Sequence, residues 1–199
     1  MKHSFTVVEE LDTIVPIAVG AYLDCEHYLH LHRSITDSLE IIKHEGRVVE
    51  VRQSWKWLGL RLGHTKRGEY IPPAEFKVTE VKPYPFWIPS IHHFVGIYTH
   101  IKYTAHPERN TTVMTFYVEL DLPFWMWPLR KRMQTLIERM HERQNIEDMV
   151  CIKRRAKLFG RENYSAYLAD HQFLYHKDDY VAHFGQKSAM TNERVNALT

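Results

Sequence analysis

Met114-Thr115-Phe116-Tyr117-Val118-Glu119-Leu120 alternates residue by residue, whereas Leu129-Arg130-Lys131-Arg132-Met133-Gln134-Thr135-Leu136-Ile137-Glu138-Arg139-Met140, just past Pro128, does not. In the first run Met114, Phe116, Val118 and Leu120 recur at every second residue, the period of a strand with one buried face. In the second, Leu129, Met133, Leu136, Ile137 and Met140 form the stripe of an amphipathic helix. A sheet with one apolar face followed by a helix able to cover it defines an α+β fold.

Upstream, the period of two persists. Val95, Ile97, Thr99, Ile101 and Tyr103 alternate, then turn at Pro107-Glu108-Arg109-Asn110. Val49, Val51, Gln53, Trp55 and Trp57 form another face, and His44-Glu45-Gly46 separates them from a strand at Leu39–Ile42. Glu75–Val81 is a weaker strand, punctuated by Pro72-Pro73 and by the prolines from Pro83 to Pro89. Short turns between consecutive strands predict an antiparallel sheet. Phe5-Thr6-Val7-Val8-Glu9 predicts a first strand, and Asp12-Thr13 with Pro16 predicts the start of a helix from about Val15 to about Leu31. Downstream, Gln144-Asn145 is read as a break, with a second helix over Ile146–Leu158 ending at Gly160. The domain reading is therefore 1–160, with 161–199 as an extension. Its part from Asn163 to Phe184 is expected to pack on the body, and the last residues to be disordered.

Composition narrows the function classes. The 199 residues are 44% apolar and 25% charged, a globular balance. A net charge of +2 excludes a dedicated nucleic-acid binder. No apolar run is long enough for a membrane span, and Met1-Lys2-His3-Ser4-Phe5 lacks a signal peptide's apolar stretch. Two cysteines, Cys25 and Cys151, cannot build a disulfide scaffold and suit a reducing, cytoplasmic setting.

Fourteen histidines stand out, three of them close together in Asp24-Cys25-Glu26-His27-Tyr28-Leu29-His30-Leu31-His32. Neutral imidazole with a carboxylate is a donor set for iron, zinc or copper. On an ideal helix His27 and His32 differ by roughly 140°, so they converge only if the helix ends between them. Asp24 and His27, three apart, share a face, and His30 does not.

The element order from Phe5 to Leu158 resembles the helix-grip fold of START-like (SRPBCC) proteins, in which sheet and helix enclose an apolar cavity. Within that fold, Asp24-x2-His27-x4-His32 resembles the pattern in the catalytic domain of Rieske-type ring-hydroxylating oxygenases. That resemblance implies Fe(II) held by His27, His32 and Asp148, the last from the pair Glu147-Asp148, with Asp24 bridging to an electron donor. Glu147 would be the substitute ligand. The chain departs from the family in having no Fe–S cluster domain and in having Ala21 where a polar residue is usual. Electrons would come from a partner protein, and the family's habit implies a homo-oligomer. The alternatives are a metal-free carrier for a lipid or aromatic ligand, and a polyketide-cyclase-like enzyme using cavity His and Asp as acid and base.

Aromatic residues cluster at Trp55-Lys56-Trp57, Tyr84-Pro85-Phe86-Trp87 and Phe124-Trp125-Met126-Trp127. They are read as core and cavity lining for a hydrophobic or aromatic small molecule. The last cluster, followed by Arg130-Lys131-Arg132, also suits a loop at a membrane surface. His92, His93 and His100 are read as structural, and His171-x4-His176 with Asp178, Asp179 and His183 as a loose second His/Asp group. No phosphate-cradling glycine loop or nucleophile elbow is present.

Overall fold

The structure is a computed structural model and describes residues 1–24, 36–57, 59–87, 90–157 and 174–184. Seven strands form one antiparallel sheet: β1 (Lys2–Leu11), β2 (Ser38–Glu45), β3 (Val48–Trp57), β4 (Leu60–Ile71), β5 (Glu75–Tyr84), β6 (Gly96–Ala105) and β7 (Thr112–Asp121). Their order is β1-β7-β6-β5-β4-β3-β2. Helix α1 spans Val15–Leu23, α2 spans Arg130–Ala156, and a short α3 covers 177–184. This is the expected helix-grip arrangement.

Register fixes which side chains point inward. Phe5 pairs with Val118, Thr99 with Val118, Phe76 with Ile101, and Tyr70 with Phe76. Paired residues share a face, so one surface carries Phe5, Val118, Ile101, Phe76 and Tyr70. Along β7 the buried residues are Thr112, Met114, Phe116, Val118 and Leu120, the alternation that the sequence displays.

The long helix starts at the end of the sheet where β1 begins and runs in the same direction as β1. His3 contacts Gln134 at 2.9 Å, and further down Glu9 meets His141 and Asn145. At its far end the helix reaches the C-terminus of α1. The nearly all-apolar α1 is buried between these layers, with Pro16 in its first turn. The 174–184 segment closes the same end: Leu174 N–H donates to Leu23 O at 2.8 Å, and the Tyr180 hydroxyl donates to Pro16 O at 2.8 Å. Arg47 makes a two-pronged ion pair with Asp179 at 2.8 and 2.9 Å. Tyr175 packs against Tyr70 and Phe76.

Several expectations need correction. Helix α1 stops at Leu23, with Asp24 extended as its C-cap, rather than running to Leu31. Ile14, not Asp12 or Thr13, is its N-cap. No break occurs at Gln144-Asn145. Asn145 faces inward and spends its amide on Glu9 and His141 instead of competing with the helix backbone, so α2 is continuous. Strand β4 went unread. Strand β5 continues through Pro83, which costs nothing because β5 pairs with β6 only from Glu75 to Val78, leaving its far edge without a ladder.

Candidate functional site

The inward face of β3 and β4 is where the apolar lining is interrupted. Gln53 on β3 pairs across the ladder with His64 on β4, and Lys66 follows two residues on, on the same side as Gly68 and Tyr70. The Gln53 side-chain carbonyl accepts from the Lys66 ammonium at 3.0 Å and lies 3.2 Å from His64 Nε2. The Gln53 amide in turn donates to the Thr36 hydroxyl. Gln53 and Thr36 are buried, whereas His64 and Lys66 are only partly so and remain within reach of a guest. The His64 ring lies 6.0 Å from Trp55 and 5.8 Å from His92.

The electrostatics of this group are those of a cation held away from water. Burial pushes the Lys66 ammonium down to about 8. Among the described residues Lys66 has no carboxylate in ion-pair reach; its bond goes to a neutral amide oxygen. Burial first, then the Lys66 charge and His92, push His64 down to about 2, so its imidazole is neutral. His92 is lowered by burial first, then by the Lys66 charge and His93, and its buried Nδ1 has no hydrogen-bond partner among the described residues. The arrangement offers an ammonium and neutral imidazoles beside apolar and aromatic walls. It matches an oxygen carrying negative charge or a polarised carbonyl.

A second buried polar group lies between β1 and α2. His141 stacks on Phe116 with centroids 4.3 Å apart and lies 3.4 Å from Glu9. The bond from His141 holds the Glu9 carboxyl below its ordinary range, against the opposing effect of burial. These groups satisfy one another and tie helix to sheet.

Sequence reasoning pointed to Asp24, His27, His32 and Asp148. His27 and His32 lie outside the described residues. Asp24 is buried at the end of α1, where its carboxylate accepts from Arg155 of α2. Asp148 sits in the second half of the continuous α2, not at a helix start, and lines a cleft of about 20 Å³ with Tyr22, Tyr103 and Asn145, room for one water. Among the described residues no group of three or more His, Cys, Asp or Glu is placed to hold a metal ion. Of the second His/Asp group, His171 lies outside the described residues, and Asp179 is engaged by Arg47 and lies 3.8 Å from His176 Nδ1.

Gln53, His64, Lys66 and Arg155 escaped the sequence reading. The available signal was His64-x-Lys66-x-Gly68-x-Tyr70, an alternation whose inward side is polar at one end and aromatic at the other. The aromatic clusters divide as well. Trp55 points inward beside His64, while Phe86, Trp87, Phe124 and Trp125 are exposed rather than lining a cavity.

No protein-family model and no curated protein sequence matches the chain. Solved structures do match in fold. A Thermus thermophilus protein superposes with a TM-score of 0.55 at 15% identity, over 77% of this chain and 99% of the other. The two-domain aromatase/cyclase StfQ of the steffimycin biosynthetic pathway gives 0.59 at 12% identity, over 79% of this chain and 52% of that one, so this chain spans about half its length. The Zhui aromatase/cyclase of a Streptomyces species gives 0.52 at 11% identity, over 81% and 98%. At these identities the likeness is one of fold, the helix-grip architecture. It does not carry the finer resemblance to ring-hydroxylating oxygenases.

Proposed function

We propose that this chain binds a small hydrophobic, aromatic molecule bearing an acidic or carbonyl oxygen, with the ring against the inward sheet face and the oxygen on Lys66. One observation carries the reading: the Lys66 ammonium on the inward sheet face, bonded to the neutral Gln53 and lacking a carboxylate in reach among the described residues. Two dyes of matched shape test it, anionic 1-anilinonaphthalene-8-sulfonate and uncharged N-phenyl-1-naphthylamine. The wild type should bind both and favour the anion. Lys66→Met should lose about tenfold in affinity for the anion, the worth of one charge-assisted bond, and keep its affinity for the neutral dye. Equal affinity of the variant for the anion would overturn the reading, provided the variant still unfolds cooperatively.

The fold neighbours named as aromatase/cyclases support a related second reading, in which the same group moves a proton on a carbonyl substrate. An amine whose pKa sits near 8 can both give and take a proton close to neutral pH, and the neutral His64 can bond the carbonyl oxygen. Turnover abolished by Lys66→Met, with substrate binding retained, would separate catalysis from carriage.

The iron reading makes an opposite prediction. Iron should copurify under anaerobic conditions and be lost in His27→Ala if His27, His32 and Asp148 are ligands. On the ligand-binding reading chelation leaves dye affinity unchanged, and stoichiometric iron required for binding would overturn it.

A further inference from the structure

The strand order places the connections β3–β4, β5–β6 and β7–α2 at one end of the sheet, the end where β1 begins. There the most exposed aromatic side chains of the described residues emerge: Phe124 at 80%, Phe86 at 79%, Trp87 at 64% and Phe94 at 61% exposure, with Trp125 at 54%. They come from two separate connections, one following β5 and one following β7. Phe94 and Trp125 join the two, with ring centroids 5.8 Å apart. Beside them a groove of about 580 Å³ opens where β5 and β6 have parted. So much aromatic surface at one end marks a contact site rather than scatter.

Charge selects the occupant. Exposed Lys56, Arg61, Lys131 and Arg132 lie at this end and form no ion pair among the described residues. Arg130 lies over the Trp127 ring at 4.7 Å. The acids present there are largely spent: Glu119 on Lys2, Glu80 on Lys82 and Asp121 on the terminal amine of Met1. Protruding indoles and phenyl rings interleaved with unpaired cations match the headgroup layer of a bilayer, where rings sit at the acyl boundary and cations meet phosphates. Protein interfaces, by contrast, deplete lysine in their cores. We propose that this end of the sheet docks reversibly on an anionic membrane, with Phe124 and Trp125 inserted and Lys131 and Arg132 on lipid phosphates.

The test is cosedimentation of the full chain with phosphatidylcholine vesicles, with and without phosphatidylserine. Wild type should partition onto the serine-containing vesicles, with a blue shift of tryptophan emission. The exposed pair Lys131→Glu with Arg132→Glu should lose at least about tenfold in partitioning, near 1 kcal/mol per removed cation. Phe124→Ser with Trp125→Ser should lose as much and show no blue shift on vesicles. Both variants should keep the wild-type unfolding midpoint. No partitioning by the wild type, or full partitioning by the serine variant, would overturn the proposal. So would equal binding to pure phosphatidylcholine. Self-association of the wild type without lipid, abolished by Phe124→Ser with Trp125→Ser, would assign the surface to a second copy of the chain and overturn it equally.

Discussion

Arg155 of α2 and Asp24 at the end of α1 form a buried ion pair, the guanidinium 1% exposed and the aspartate 8%. Burial works against the charge on Arg155, but the adjacent Asp24 carboxylate overrides it and holds the group above its ordinary value. Two residues 131 apart in sequence thereby pin the crossing of the first and last long elements.

Breaking that pair from one side should be costly. Asp24→Ala leaves a buried cation and should lower stability by about 3–5 kcal/mol, read from urea unfolding. Asp24→Leu combined with Arg155→Met removes both charges and should recover most of the loss. A double variant no more stable than the single would mean that specific hydrogen bonds, not charge balance, set the cost.

Lys66 should trade stability for binding. Its folded pKa lies near 8 against 10.5 for the free side chain. Below pH 8 it is charged in both states and the folded state bears the burial cost. That cost is released as pH rises from about 8 through 10.5. Lys66→Met should therefore gain about 1–3 kcal/mol at neutral pH and lose the rise in stability across that alkaline window. An unchanged urea midpoint would show that Lys66 is better solvated than its surroundings indicate.

His64 works in the opposite pH range. With a folded pKa near 2 and an ordinary value of 6.5, the unfolded chain binds a proton that the folded one refuses. Stability should fall as pH drops below 6.5, by about 2 kcal/mol between pH 7 and pH 5 from this residue alone. His92, shifted the same way, adds to it. Replacing His64 with Gln should flatten the acid limb of stability against pH, and an unaltered limb would place the titration elsewhere.

Gly63 tests how closely the two site strands must approach. A Cβ there would lie 2.1 Å from the Gln53 carbonyl oxygen and 2.7 Å from Ser54 Cα, both backbone atoms that cannot step aside. Gly63→Ala should cost about 1–3 kcal/mol and weaken dye binding as well, because it separates Gln53 from Lys66. At Gly46, in the open β2–β3 turn with φ +58°, the same change meets nothing within 4 Å and should cost only about 1 kcal/mol of backbone strain.

The fold was legible because β1, β3, β6 and β7 bury one face and expose the other, so their apolar residues recur at two, and because Leu129 to Met140 recurs at helical spacing. The site was hidden by the same logic. Strand β4 carries His64, Lys66 and Gly68 at inward positions where an alternation test expects apolar residues, so the strand that holds the candidate site shows no apolar period there. Asn145 misled in the opposite direction, since its helix-breaking tendency is overridden by partners on β1 that no local reading can see. Arg155 follows Lys153 and Arg154 at the end of α2, a basic run that locally favours a solvated face, and only the crossing of α1 turns it inward.

The pairing of β1 with β7 joins Lys2 to Asp121 and Leu11 to Thr112. During synthesis β1 leaves the ribosome about a hundred residues ahead of β7, its neighbour in the sheet among the described residues. At roughly 5–20 residues per second it waits several seconds with its apolar face uncovered. The contacts that complete the sheet are also the most distant in sequence, which places this topology among the slower folders. Glu9 and Glu10, directly after Val7 and Val8, give the waiting strand charge beside its greasy positions, a brake on pairing with a neighbouring nascent chain before the rightful one arrives.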